Sequence, residues 1–240
     1  MNINISVQGR GRPLVLFHGW GFDAQIWYPL LPALTGTYEL YLVDLPGFGL
    51  TPSMEWEEFK VVLLRQLPTH FSLAGWSMGG LYATRLALES PQHVTHLLNI
   101  SSSPHFIQEL AWPGIPRRVI NTFYQELTTD PERILQQFIE LQLQGQTLPP
   151  AMVSQKAALA GLSAGLDVLF SWDFRQDLKQ LNVPVCYLFG RLDAIVPRIT
   201  MTTMQTRYPL FNYILFAKAA HAPFLSHPVE FIAALKEFLQ

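Results

Sequence analysis

The chain has 240 residues, 49% hydrophobic and 14% charged, with a formal net charge of −2. Such a composition excludes a disordered chain and is long enough to bury a sizeable core, as one large domain or a core with an insertion. The near-neutral balance, with no long run of like charge, gives no sign of nucleic acid or an anionic membrane surface as partner.

One cysteine, Cys186, cannot form an internal disulfide and sits in an apolar run where an inert buried thiol is expected. No run reaches the roughly 18 apolar residues of a membrane span. Met1 to Gln8 alternates polar and apolar residues at a strand period and has no signal-peptide pattern. A cytoplasmic location is therefore expected.

Leu14 to Phe17 is a short continuous apolar run, the pattern of a strand covered on both faces, and it ends in His18-Gly19-Trp20-Gly21. Asp23 is placed to cap a helix carrying Trp27, Leu31 and Leu34, which Pro29 and Pro32 should shorten or kink. Leu40 to Val43 is a second buried-type strand, followed by Asp44-Leu45-Pro46-Gly47-Phe48-Gly49. A dinucleotide loop fails there, because Leu50-Thr51-Pro52 stands where a third glycine and a helix should be. Residues 55–67 repeat apolar side chains at helical spacing, Phe71 to Ala74 forms the central strand, and Val94 to Ile100 the next. Strand and helix alternate, which argues a mostly parallel, doubly wound α/β sheet.

From residue 105 to 171 the rhythm becomes helix after helix, with periodic apolar residues over Arg117 to Leu127, Pro131 to Gln144 and Pro150 to Phe170. The expected organisation is a core of residues 1–104 and 172–240 with a helical lid, 105–171, inserted over the carboxyl ends of the strands. Two or three of its aromatics (Phe106, Trp112, Phe123, Tyr124, Phe138, Phe170, Trp172) should face a pocket. The sheet resumes at Pro184 to Phe189 and again at Asn212 to Phe216, and a last helix follows Pro228.

The chemistry centres on Gly75-Trp76-Ser77-Met78-Gly79. A strand before and a helix after make the G-x-S-x-G context in which a serine is lifted above the sheet on a strained turn, with small neighbours letting strand and helix approach. Ser77 needs a base and an acid to orient it. Of seven histidines, His221 follows a strand near the C-terminus. Asp193 comes just past the Gly190 turn, whereas Asp167, Asp173 and Asp177 belong to or border the helical stretch. The order Ser77, Asp193, His221 is that of α/β-hydrolases. The backbone N–H groups of Met78 and Trp20 are the expected oxyanion donors, and His18 is expected to shape the Trp20 loop rather than titrate.

The whole chain resembles the α/β-hydrolase superfamily and, more narrowly, the pimeloyl-[acyl-carrier protein] methyl ester esterases of biotin synthesis. The narrower likeness rests on Trp112-Pro113-Gly114-Ile115, on Phe138-Ile139-Glu140-Leu141-Gln142 and on Phe216-Ala217-Lys218-Ala219-Ala220-His221-Ala222-Pro223-Phe224, beside Ser102-Ser103-Pro104. It implies a serine carboxylesterase that releases methanol from the methyl ester of a pimeloyl chain on acyl carrier protein. A monomer that needs no cofactor or metal is expected. The resemblance also implies substrate contacts at Trp20, Ser77, Met78, Phe138, Ile139, Glu140, Leu141, Gln142 and His221. Basic lid residues help dock the acidic carrier in that family. In this chain Arg133 falls where the pattern has a lid arginine, and residues 105–171 hold four basic against six acidic side chains. Two other readings stay open: a triad hydrolase or C–C lyase acting on a small ester, lactone or diketone, and a non-catalytic binding protein of the same fold.

Overall fold

Seven strands form one sheet in the order β1-β3-β2-β4-β5-β6-β7 in the computed structural model, which describes residues 2–143 and 159–240. They are β1 (Ile5–Gly9), β2 (Arg12–Phe17), β3 (Tyr38–Val43), β4 (Phe71–Trp76), β5 (Val94–Ile100), β6 (Val185–Gly190) and β7 (Asn212–Phe216). β1 runs antiparallel to β3, and every other pair is parallel.

Alternation along the strands splits the core in two. Leu14, Leu16, Ala74, Trp76, Leu98 and Leu188 face one layer with Trp27, Phe224 and Phe231. Val15, Phe17, Leu73, Leu97 and Phe189 face the other with Phe59, Leu63 and Leu81. Burial on both faces explains the continuous apolar runs, and Cys186 is one of those buried residues. Burial pushes its thiol up to about 12, which makes it unreactive near neutral pH.

The two prolines act as expected. Asp23 Oδ1 accepts from the Gln25 N–H at 2.9 Å, but the helix is a 3-10 turn, Ala24–Leu30, followed by a four-residue α1 (Leu31–Leu34). Helices α2 (Trp56–Gln66) and α3 (Met78–Glu89) follow. Between β5 and β6 come α4 (Arg117–Thr129), α5 (Pro131–Leu143) and α6 (Leu159–Ser171). The expected start of the third of these helices at Pro150, and Gln144 and Lys156, lie outside the described residues, as does Met1. Residues 105–116 form a loop closed by bridges between Ile107 and Ile115 and between Glu109 and Trp112. The last helices are α7 (Arg198–Arg207), which has no counterpart in the sequence reading, α8 (Pro223–Ser226) and α9 (Pro228–Phe238). No described helix is long and apolar enough to cross a membrane.

Candidate active site

Ser77 sits between β4 and α3 with φ 55° and ψ −119°, a left-handed conformation that costs a β-carbon residue about 1–3 kcal/mol. Three hydrogen bonds hold it there. Its N–H donates to Ile100 O at 2.9 Å, and its carbonyl accepts from Gly80 N–H at 2.9 Å and from Ser102 Oγ at 2.8 Å. The flanking glycines are required by contact. A β-carbon on Gly79 would come within 2.5 Å of the Phe17 and His18 carbonyls, and one on Gly75 would collide with the Gly79 carbonyl.

Asp193 follows β6 with its side chain fully buried. Its Oδ1 accepts from the backbone N–H groups of Ile195 (2.8 Å) and Val196 (2.9 Å), and its Oδ2 accepts from His221 Nδ1–H at 2.8 Å. That bond fixes the tautomer, leaving Nε2 as the proton acceptor. The buried Nε2 has no hydrogen-bond partner among the described residues. The backbone of His221 is tied to the elbow, because its carbonyl accepts the Trp76 indole N–H at 2.8 Å.

The rival groups are engaged elsewhere. Asp167 accepts from Tyr124 Oη, and Asp173 pairs with Arg175 at 2.6 Å. Buried His105 lies 3.3 Å from the Trp172 carbonyl and 3.5 Å from Glu109. His18 is a loop tie: its Nδ1–H donates to Gly19 O at 2.8 Å while Nε2 accepts the Leu45 N–H at 3.0 Å. Burial lowers its pKa against the opposing pull of Asp44, so it stays neutral. Asp44 continues the tie by accepting from the N–H groups of Ala24 (2.8 Å) and Leu50 (2.9 Å). The Trp20 loop is thus held from below. Met78 opens α3, where backbone N–H groups have no intrahelical acceptor.

Ser77 opens onto a cavity of about 450 Å³. Phe106 and Ile115 of the bridged loop, Ile120 and Phe123 of α4, Phe138 and Leu141 of α5, and Leu166, Leu169 and Phe170 of α6 line it on the insertion side. Ala194, Ile195 and Pro197, just past Asp193, close it on the core side, and Gln137 adds a polar side chain. Four of the seven aromatics singled out above reach the wall, rather than two or three; Trp112, Tyr124 and Trp172 do not.

The stretch from Phe138 to Gln142 divides by helical geometry. Phe138 and Leu141, one turn apart, line the cavity. Ile139 is buried in the layer with Trp27 and Phe224, Glu140 is exposed and accepts from Gln136 Nε2, and buried Gln142 donates to Trp20 O at 3.4 Å. The Trp20 ring stands behind the wall, edge-on to Phe138 and Phe123 at 5.1 and 5.6 Å, with its indole N–H donating to Leu162 O at 2.8 Å. Met78 packs under α6, its Sδ beside Gly165. Sequence reasoning missed Ser102 as the support of the Ser77 carbonyl, and Ala194, Ile195 and Pro197. Their position directly after the expected acid was the available signal.

Residues 14–235 match the model of the alpha/beta hydrolase family. The chain is 53% identical over 240 residues to a pimeloyl-[acyl-carrier protein] methyl ester esterase of Legionella pneumophila (strain Corby), with all of both chains covered. It is 39% identical over 246 residues to the protein of the same name from Citrobacter koseri, covering 97% of this chain and 96% of that one. Among solved structures, an esterase from Exiguobacterium antarcticum superposes with a TM-score of 0.90 at 22% identity, over 98% of this chain and 94% of that one, a likeness of fold.

Proposed function

The chain belongs to the alpha/beta hydrolase family and, within it, to the pimeloyl-[acyl-carrier protein] methyl ester esterases; from that premise we propose that Ser77, His221 and Asp193 hydrolyse the methyl ester of a pimeloyl chain on acyl carrier protein. The observation that carries the reading is a strained serine opening onto a hydrocarbon-walled cavity, beside a buried His–Asp pair with a free ring nitrogen. A chain of methylenes suits such walls, and the thioester end of the substrate extends toward solvent with the carrier outside.

The proposed steps are those of a Ser–His–Asp esterase. Ser77 Oγ attacks the ester carbonyl carbon as its proton passes to His221 Nε2, and Asp193 stabilises the imidazolium through Nδ1–H. The N–H groups of Met78 and Trp20 receive the oxyanion, each contributing about 3 kcal/mol in the transition state. Collapse breaks the carbon–oxygen bond to the methoxy group, which leaves as methanol with the proton from Nε2. Water then attacks the acyl-enzyme, giving its proton to Nε2. Release of the carboxylate returns that proton to Ser77. The reading places the chain in the cytoplasm, at a step of biotin synthesis.

Methanol release from purified protein on the carrier-linked methyl ester, beside p-nitrophenyl esters of short acids, tests it. A strong preference in kcat/KM for the carrier-linked ester is expected. Turnover of the short esters with none of the carrier-linked one would replace this reading by a small-ester hydrolase.

A further inference from the structure

Charge is unevenly spread around the cavity. The end of α4 and the helix α5 carry Glu126, Asp130, Glu132 and Glu140, with Arg133 among them. Arg133 is already engaged: its Nε lies 3.3 Å from Asp130, one Nη lies 3.5 Å from Glu126, and the other donates to Gln137 at 3.1 Å. The arginine in the position where the resembling family docks its carrier is therefore neutralised by its own helix pair.

Two other stretches beside the cavity wall differ. Residues 110–119 and 191–207 contain five arginines and a single carboxylate, Asp193, which is buried against His221. Arg117, Arg118 and Arg198 are exposed and have no carboxylate within salt-bridge distance among the described residues. Their neighbours in the chain form the cavity wall: Pro116 and Val119 bracket the first two, and Pro197 precedes the third. The three arginines thus stand next in sequence to cavity-lining residues on two separate helices, α4 and α7. Exposed apolar side chains adjoin them in the chain, Val119 at 47% and Ile199 at 56% exposure. Unpaired arginines beside exposed aliphatic groups suit a protein surface rich in carboxylates, because Arg offers both planar ion pairing and apolar contact.

We propose that Arg117, Arg118 and Arg198 form the surface on which the acidic acyl carrier protein docks, its acyl chain entering the cavity beside them. The inference rests on the carrier-linked substrate proposed above. Rim charges act mainly on encounter and its salt dependence, so the effect belongs in KM rather than in kcat.

The test combines Arg117→Glu, Arg118→Glu and Arg198→Glu in one variant and sets it beside Arg133→Ala. KM is measured on the carrier-linked methyl ester and on the same acyl chain carried by pantetheine without the protein, and carrier binding is titrated directly at low and high salt. The triple variant should raise KM for the carrier-linked ester about tenfold or more and lose the salt dependence of carrier binding. On the pantetheine ester its kinetics should stay within about twofold of the parent, which also shows an intact fold. Arg133→Ala should change KM less than about twofold. An unchanged KM in the triple variant, an equal rise on the pantetheine ester, or a larger rise from Arg133→Ala would overturn the proposal. Should the carrier-linked ester not be hydrolysed, direct titration still decides: salt-sensitive binding abolished in the triple variant upholds the surface although the substrate reading falls, and absence of carrier binding to the parent protein rejects the surface.

Discussion

At the strand ends, each functional side chain is held by hydrogen bonds whose partners are backbone or buried: Asp193 accepts three, the Ser77 peptide makes three, and His18 ties two loops together. Across the cavity, α4, α5 and α6 contribute a wall of Phe, Leu and Ile side chains, and their inner faces are buried in the same clusters as the sheet. Gly161 packs on Gly47, Gly165 lies against Trp20 and Met78, and the Trp20 indole holds Leu162 O. Hydrogen bonds are directional and set atoms to within fractions of an ångström, whereas apolar walls are non-directional and tolerate exchange of similar volumes. Changes at the strand ends should therefore appear in kcat, and changes in the insertion in KM.

Ser77→Ala is expected to have the largest effect, lowering kcat by about 10⁴ or more with circular dichroism and melting temperature preserved. Asp193→Asn comes next. Its amide nitrogen facing Nδ1 would favour the tautomer with a protonated Nε2, and kcat should fall about 10³–10⁴-fold in steady-state assays. If either variant instead raised KM with kcat retained, the division between the two regions would fail.

On the other side, Phe138→Ala removes a ring from the wall. It should raise KM for the carrier-linked ester about tenfold, with kcat within about threefold, as expected from the loss of one apolar contact. A collapse in kcat alone would mean that the wall also positions the reacting carbonyl. Trp20→Phe keeps a ring and the backbone N–H but deletes the indole bond to Leu162, and should cost about 1 kcal/mol of stability, read as a small fall in melting temperature.

The smallest expected effect lies away from both regions. Burial pushes the Glu89 carboxyl up, but bonds from Arg85, Lys60 and Trp56 outweigh that and hold it at about 2. An unfolded glutamate titrates near ~4.3, so this group's contribution is present above that pH and is lost as pH falls toward about 2. Glu89→Gln should flatten that part of the acid-unfolding curve only slightly, since the pair is partly exposed.

These contrasts also explain what could be read from the chain. The strands were legible because both faces are buried, and the elbow because Gly75 and Gly79 leave no room for a β-carbon. Asp193 and His221 were legible from their order after strands. Periodicity marks an apolar helix face without saying whether that face meets core or cavity, so Phe123 and Phe170 looked the same as Tyr124. Five consecutive residues, Phe138 to Gln142, could not all face one cavity on a helix. Helix α7 was missed because its sequence, Arg198 to Arg207, is mostly polar and only Thr200 and Met204 are buried.

The central claim is that Ser77 carries the acyl group, and rapid chemical quench of wild-type protein with the pimeloyl-carrier methyl ester, read by intact and peptide mass, tests it most directly. The expected result is a transient species in which the carrier is joined through its pimeloyl chain to Ser77 Oγ, with methanol lost, and no such species in Ser77→Ala. Methanol release by Ser77→Ala at the parent rate, or an acyl group found on another residue, would contradict it.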